Sequence, residues 1–280
     1  MQKKISTLRE TFATAVENYN KKNFILAESL CLKILSIDTN HFNSLVLLAN
    51  ISAINGNYKK AKEFLIQANE TEPNNLSVLN NLGTACRELG NIKESISFYE
   101  KIIKINPKHT NAHYNLGVIH HNLKDLKKAK YYFIQAVELQ PNYAIAFANL
   151  GNTYAELKDY ENALSNYQKA IKINPKIVSA HNNLGLVYRA LNDYQNATKC
   201  YDEVIKIKPN HAGAYHNLAL ALKEMGKFKK SIEAHEMAIK HEPENFMHYF
   251  YLNELKNDVL NPSLKKKIDK TLKVKNLTKS

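Results

Sequence analysis

Prolines recur along this chain of 280 residues at a constant spacing of 34 residues, and six of them follow this period. They are Pro73, Pro107, Pro141, Pro175, Pro209 and Pro243. A fixed period of this length is typical of proteins built from stacked repeats, in which each unit packs on its neighbours. The period therefore predicts an extended surface, and we look for function on that surface rather than in one enclosed pocket.

Counting each proline as position 32 defines seven repeats, 8–41, 42–75, 76–109, 110–143, 144–177, 178–211 and 212–245. Residues 1–7 are predicted to be an N-terminal extension, and residues 246–280 a capping helix followed by a basic tail. Positions 8 and 20 are small in every repeat from the second onwards. Position 8 holds Ala49, Gly83, Gly117, Gly151, Gly185 and Ala219. Position 24 is large in most repeats, as Leu65, Tyr99, Phe133, Tyr167 and Tyr201.

Each repeat shows helical spacing of its apolar residues twice, with a short polar break between the two stretches. In the fifth repeat, Phe147, Leu150 and Tyr154 mark the first helix, and the second begins after the break at 157–159. Pro175 ends that second helix. Small residues at positions 8 and 20 let the two helices approach closely. The pattern predicts an all-α solenoid of stacked antiparallel helix hairpins.

These positions resemble the tetratricopeptide repeat family: Leu-Gly at 7 and 8, Tyr at 11, Ala at 20, a ring at 24, Ala at 27 and Pro at 32. The resemblance covers residues 8–245. The first repeat departs from it, with Thr14, Asn18 and Thr39 in place of leucine, the ring and proline. Membership of this family implies a right-handed superhelix whose concave groove is lined by the first helix of each hairpin.

Position 6 carries an unbroken row of five asparagines, Asn81, Asn115, Asn149, Asn183 and Asn217. A carboxamide offers both a donor and an acceptor, which matches the N–H and C=O groups of an extended peptide. The row is similar to the asparagine ladder in the superhelical arm of O-linked N-acetylglucosamine transferase. Asparagine is also frequent at this position of ordinary tetratricopeptide repeats, so the sequence leaves open whether the row binds a peptide or only follows the family pattern.

Other side chains are predicted to face the same groove through the family resemblance. They are Asn80, Tyr114, Asn182 and His216 at position 5, Asn152 at position 9, and Arg87, His121 and Arg189 at position 12. We expect a non-enzymatic scaffold that binds an extended peptide or a partner helix. The alternative is the recognition arm of a larger glycosyltransferase or sulfotransferase whose catalytic domain is not in this chain. Self-association through the end repeats is a third possibility.

The net charge of +13 comes from lysine, because only three of the 39 basic residues are arginine. A solvated lysine-rich surface explains this composition better than a nucleic-acid site, since aromatic and arginine residues are not interleaved. No run approaches the roughly 20 apolar residues of a membrane-spanning helix, so we expect no membrane partner and a cytoplasmic location.

The histidines and cysteines are expected to be packing residues, and we predict no cofactor, no metal and no catalytic site. His113 and His120 lie about 10 Å apart along one helix, too far to share an ion. They also occupy positions where other repeats place aromatic rings. Three cysteines lie in separate repeats without the paired spacing of a zinc site. They are Cys31, Cys86 and Cys200.

Overall fold

The computed structural model describes residues 2–255, and this part of the chain consists of fifteen helices without a strand. The helices of the first half are α1 Gln2–Asn20, α2 Phe24–Leu35, α3 Phe42–Ile54, α4 Tyr58–Thr71, α5 Leu76–Glu88, α6 Ile92–Ile105, α7 Thr110–Asn122 and α8 Leu126–Leu139. Those of the second half are α9 Ala144–Glu156, α10 Tyr160–Ile173, α11 Val178–Ala190, α12 Tyr194–Ile207, α13 Ala212–Glu224, α14 Phe228–His241 and α15 Phe246–Leu255. The predicted basic tail beyond 255 lies outside the described residues.

Consecutive helices pair into hairpins, from α1 with α2 to α13 with α14, as the all-α prediction requires. The chain divides between residues 139 and 140 into two compact units. Within each unit the second helix of a hairpin packs on the first helix of the next, so that the core is continuous from hairpin to hairpin. In the second unit α15 packs on α14 and follows the last hairpin. Helix α1 begins within the predicted N-terminal extension.

Every hairpin turn contains one residue in the left-handed conformation, always at position 15. The seven residues are Lys22, Gly56, Gly90, Lys124, Lys158, Asn192 and Gly226. The amides of Gly56 and Asn57 donate to the carbonyls of Ala53 and Ser52 at 3.0 and 2.8 Å, which is the Schellman pattern that ends a helix. The side chain of Asn57 then caps the next helix by accepting from the amide of Lys60. One short turn thus ends the first helix and starts the second.

Positions 8 and 20 face each other, as the sequence predicted, and this contact includes a buried hydrogen bond in two hairpins. The Ser95 hydroxyl donates to the Gly83 carbonyl at 2.6 Å, and Ser231 donates to the Ala219 carbonyl at 2.7 Å. The ring at position 24 covers position 8 as well. A Cβ atom built on Gly151 would lie 2.8 Å from the Tyr167 ring, so only glycine fits there.

Position 8 and position 24 therefore vary together. In the third to sixth repeats, which we call the inner hairpins, glycine at position 8 faces a tyrosine or phenylalanine ring. In the first, second and seventh repeats, the outer hairpins, alanine at position 8 accompanies a smaller side chain. The outer pairs are Ala15 with Cys31, Ala49 with Leu65, and Ala219 with His235. A tyrosine or phenylalanine ring thus fills the space at the centre of each inner hairpin, whereas Cys31, Leu65 or His235 occupies it in the outer hairpins.

Candidate peptide-binding face

The five asparagines at position 6 are all half-buried on the first helices, where they bond to side chains of neighbouring positions. In the first unit, Nδ2 of Asn81 donates to Oδ1 of Asn50 in the preceding repeat at 3.2 Å. Asn115 accepts from Nη1 of Arg87, also one repeat earlier, at 3.2 Å. Arg87 in turn forms an ion pair with Glu88 at 2.9 Å. We call the surface formed by positions 5, 6, 9 and 12 the first-helix face.

The second unit carries a chain of amide-to-amide hydrogen bonds along the same face. Asn183 donates to Asn152 at 2.9 Å, and Asn217 donates to Asn182 at 3.1 Å, so each position 6 amide reaches the preceding repeat. Within single helices, Asn182 donates to Asn183 at 3.1 Å and Asn152 donates to Asn149 at 3.4 Å. The row is therefore partly engaged in joining repeats rather than standing free.

Some groups of these amides remain available at the surface. Among residues 2–255, no protein group bonds to Oδ1 of Asn81, Nδ2 of Asn115 or Oδ1 of Asn217. The first unit thus presents both an acceptor, on Asn81, and a donor, on Asn115, and the second unit presents an acceptor on Asn217. An extended backbone needs both kinds, because its N–H and C=O groups alternate.

The ring at position 24 reaches through the hairpin to the side chain at position 9. The hydroxyl of Tyr167 donates to Oδ1 of Asn152 at 2.7 Å, and the hydroxyls of Tyr99 and Thr84 lie 2.9 Å apart. Tyr201 has Leu186 at this position, and its buried hydroxyl has no partner within the described chain. Burial raises the pKa of Tyr201 to about 12. Position 9 therefore decides whether the buried ring carries a satisfied hydroxyl.

A cavity of about 210 Å³ opens on the first-helix face of the first unit, where the second repeat lacks this ring. Leu65 and Ala61 form part of its apolar lining, and Asn50 and Asn81 contribute their amides to its polar lining. Leu65 is too short to reach Asn50 as Tyr167 reaches Asn152. The outer pair of Ala49 and Leu65 consequently leaves this cavity as an apolar recess next to the hydrogen-bonded amides of Asn50 and Asn81.

The remaining predicted groove residues are half-buried on the first helices. Asn80 has its Oδ1 enclosed without a partner in the described structure, and the Tyr114 ring packs 6.0 Å from that of Phe133. His121 lies on α7 and Arg189 on α11. Burial raises the pKa of Tyr201 and lowers that of His216, and the nearby charge of Arg189 lowers both pKa values by a smaller amount.

His113 and His181 occupy position 4 and pack as buried residues. The Nε2 atom of His113 donates to the Pro107 carbonyl at 2.9 Å, and that of His181 donates to the Pro175 carbonyl at the same distance. Each histidine thus fastens a first helix to the proline that ends the preceding repeat. The three cysteines are also buried, and burial raises the pKa of each to about 11, which keeps the thiols protonated. Both observations agree with the packing roles predicted for these residues.

His216, which is predicted to face the groove from position 5, is half-buried, and its ring packs against two other histidines at the end of the second unit. The ring centroids of His235 and His248 lie 5.5 and 5.2 Å from that of His216. Desolvation, with smaller effects from neighbouring histidines and cations, lowers the pKa of His216 and of His235 to about 4. The sequence gives no signal for this cluster, because its residues come from three successive helices and meet only through the packing of α15 on α14.

Models of the tetratricopeptide repeat match most of the repeated region. They cover residues 42–75, 77–109, 110–143, 132–165, 151–191, 178–211 and 200–233. The chain belongs to the tetratricopeptide repeat family. The matched models are repeat models only, and they give no support to the alternative that this chain is the arm of a group-transfer enzyme. The likeness to the arm of O-linked N-acetylglucosamine transferase stays a prediction.

Solved structures of tetratricopeptide repeat proteins resemble this one. MamA is 22% identical with a TM-score of 0.57, covering 66% of this chain and 97% of its own. MamA from Desulfovibrio magneticus RS-1 is 22% identical with a TM-score of 0.56, covering 61% and 96%. YrrB, a tetratricopeptide repeat protein described as having an unusual peptide-binding site, is 20% identical with a TM-score of 0.59, covering 67% and 96%. These likenesses establish the fold.

No curated protein sequence matches the chain significantly. Because 502 solved chains share the fold, the fold by itself does not select a function, and the side chains of the first-helix face must do so. Within residues 2–255, no helix combines the length and apolar character that crossing a bilayer requires.

Proposed function

We propose that this chain is a non-enzymatic scaffold whose first-helix face binds an extended peptide or a partner helix. The observation that carries the proposal is the recess of the second repeat, where the amides of Asn50 and Asn81 stand beside an apolar cavity. A cavity of about 210 Å³ accepts one side chain of a ligand, while the adjacent amides bond to its backbone. YrrB, which has the same fold, is described as having a peptide-binding site, and this supports the proposal.

The half-exposed amides of the second unit supply the corresponding contacts there. A ligand backbone that approaches Asn217 can donate to its Oδ1 atom, while the Nδ2 atom of Asn217 is already bonded to Asn182. Such amides are held in place by the neighbouring repeat, so that ordering them costs little when the ligand binds. Backbone recognition of this kind is tolerant of ligand sequence, and the recess adds a preference for one apolar side chain.

A peptide library displayed on phage, selected against the full chain, supplies a defined ligand for the test. We expect Asn81→Ala, Asn115→Ala and Asn217→Ala together to weaken binding of the selected peptide at least about tenfold, since each removes an amide group that is not bonded within the described protein and could bond to the peptide backbone. The matched control replaces the exposed loop residues Asn142 and Asn210 with alanine and should bind like the wild type. Isothermal titration calorimetry measures both, and circular dichroism checks the helix content.

The recess is tested by filling it. Leu65→Tyr combined with Ala49→Gly installs the inner pair in the second hairpin, and the new ring should occupy the cavity and reach Asn50. A peptide anchored there should lose at least about tenfold in affinity, which is about 1.4 kcal/mol, while the fold keeps its stability. Unchanged affinity in both the filled variant and the triple alanine variant would show that the ligand binds elsewhere.

A further inference from the structure

His216, His235 and His248 lie on three successive helices, α13, α14 and α15, at the end of the second unit. One nitrogen of each ring can be chosen so that the three atoms all lie within 4.8 Å of one another. Three imidazole nitrogens around one tetrahedral ion need separations of about 3.3 Å, given metal–nitrogen bonds of about 2.0–2.1 Å. The nitrogens would therefore have to approach one another by up to about 1.5 Å to close the set around an ion.

The ring nitrogens of this cluster are buried without hydrogen-bond partners. His235 is 0% exposed and His248 is 3% exposed, and neither nitrogen of either ring has a hydrogen bond within the described chain. The Nδ1 atom of His216 is buried in the same way. A buried imidazole normally pairs its nitrogens, because burying an unsatisfied polar group costs free energy. A single ion could pair three of these five nitrogens, one from each ring, and Nε2 of His248 also has Oε2 of Glu242 at 3.5 Å.

We propose that His216, His235 and His248 bind a divalent transition-metal ion of the class that imidazole favours, with Zn²⁺ as the first choice. Neutral imidazole is the ligand form of histidine, and desolvation lowers the pKa of His216 and of His235 to about 4, which favours that form. A water molecule would complete a tetrahedral set, as in other sites with three protein ligands. The ion would join the last hairpin to α15 and so fasten the helix that covers the end of the repeat stack.

The surroundings of the cluster contain both supporting and opposing groups. Oε2 of Glu242 lies 3.5 Å from Nε2 of His248, where a carboxylate can orient the ring and increase its basicity as a ligand. The Tyr251 ring stacks on His235 at 5.9 Å with planes 3° apart and lies 5.1 Å from His216, which shields the cluster from water. Arg189 and Lys223 are positive neighbours that weaken cation binding.

The test titrates Zn²⁺ alone into the full chain, purified without a histidine tag. We expect one equivalent to bind, the thermal midpoint to rise with Zn²⁺ concentration, and a chelator to reverse the rise. His235→Phe should bind at least about tenfold more weakly. This variant is made together with Ala219→Gly, which gives the last hairpin the glycine and phenylalanine pair that Gly117 and Phe133 form in the fourth repeat. His241→Phe changes a histidine of the same helix outside the cluster and should bind like the wild type.

Two further measurements test whether Zn²⁺ binds at this histidine cluster and whether it stabilises α15. Glu242→Gln should weaken binding by about 10–100-fold, the usual effect of losing a carboxylate that supports a ligand. Amide exchange in α15 should slow when Zn²⁺ is added to the wild type and stay unchanged in His248→Gln. The proposal is overturned if the wild type does not bind Zn²⁺, or if His235→Phe and His248→Gln bind it as tightly as the wild type. A peptide-binding failure of the first-helix face would leave these outcomes untouched.

Discussion

The inner and outer hairpins solve the same packing problem in different ways. In the inner hairpins a glycine at position 8 makes room for a ring at position 24, and the ring fills the space between the two helices. In the outer hairpins an alanine takes part of that space and the position 24 residue is smaller. The side chains at positions 8 and 24 are therefore matched in size as a pair, and the outer pairs leave space for a cavity or for a different polar side chain.

Those features are the two candidate sites of this protein. The pair of Ala49 and Leu65 leaves a recess beside Asn50, and the pair of Ala219 and His235 brings an imidazole to where the inner hairpins hold a phenol or phenyl ring. Both sites thus occur where the usual ring is missing. Departures from the repeat pattern are more informative about function here than the pattern itself.

The largest effect is expected from placing a large side chain in an inner hairpin. Gly151→Leu should lower the free energy of unfolding by about 3 kcal/mol, the upper end of overpacking costs, because even a Cβ would lie 2.8 Å from the Tyr167 ring. Urea denaturation followed by circular dichroism measures the change. The double variant with Tyr167→Ala should lose less than the sum of the two single changes. Simple additivity would show that the ring does not set the size limit.

A smaller effect is expected from acid, and the histidines of the last hairpin contribute most to it, since burial lowers the pKa of His216 and His235 more than that of His109 or His120. The pKa of His235 is lowered from 6.5 to about 4, so the unfolded state binds more protons between these values. The contribution of this burial is fully present above pH 6.5 and is lost as the pH falls towards 4. Arg189, Lys223, His216 and His248 face the same cluster and act in the same direction.

With a chelator present, we expect His235→Phe to lose about 2 kcal/mol less stability than the wild type between pH 7 and pH 4.5. Denaturation curves at both values measure this difference. His241→Phe serves as the control and should follow the wild type. Equal losses in His235→Phe and the wild type would mean that acid acts through groups shared by all hairpins.

The smallest effects distinguish two inner hairpins from each other. Tyr167→Phe should cost about 1 kcal/mol, because it removes the hydrogen bond to Asn152. Tyr201→Phe removes a buried hydroxyl that has no partner in the described structure, and it should be neutral or stabilising by up to about 1 kcal/mol. Urea denaturation of both variants under the same conditions is the measurement. Similar costs would contradict the role assigned to position 9.

Much of the architecture could be predicted from the sequence because the repeat multiplies each signal. A single small residue at position 8 means little, but six in register indicate a close helix contact, and Ser95 and Ser231 confirm that contact. The turns were predicted only as polar breaks. Three of the seven left-handed positions hold lysine, which carries no turn signal by itself, so their common backbone conformation emerged only from the structure.

The candidate sites were harder to predict, for reasons of geometry. The asparagine row was visible, but its bonds to Asn50, Asn152 and Asn182 depend on which neighbouring side chain lies within reach. The histidine cluster combines residues from three helices. Spacing along one helix could be judged from the sequence for His113 and His120. The proximity of His235 and His248 depends on how α15 packs on α14, which the sequence does not show.

The amide bonds between first helices also bear on how such a protein can gain or lose repeats during evolution. Asn217 depends on Asn182 of the sixth repeat, whereas the fifth repeat has Ala148 at that position. Deleting residues 178–211 would keep the 34-residue period and place Asn217 where Asn183 stands now, so that its available partner would become Asn152 at position 9 instead of Asn182 at position 5. The loss of this unit would therefore change the pattern of amide bonds at the junction, even though the helices would keep their register.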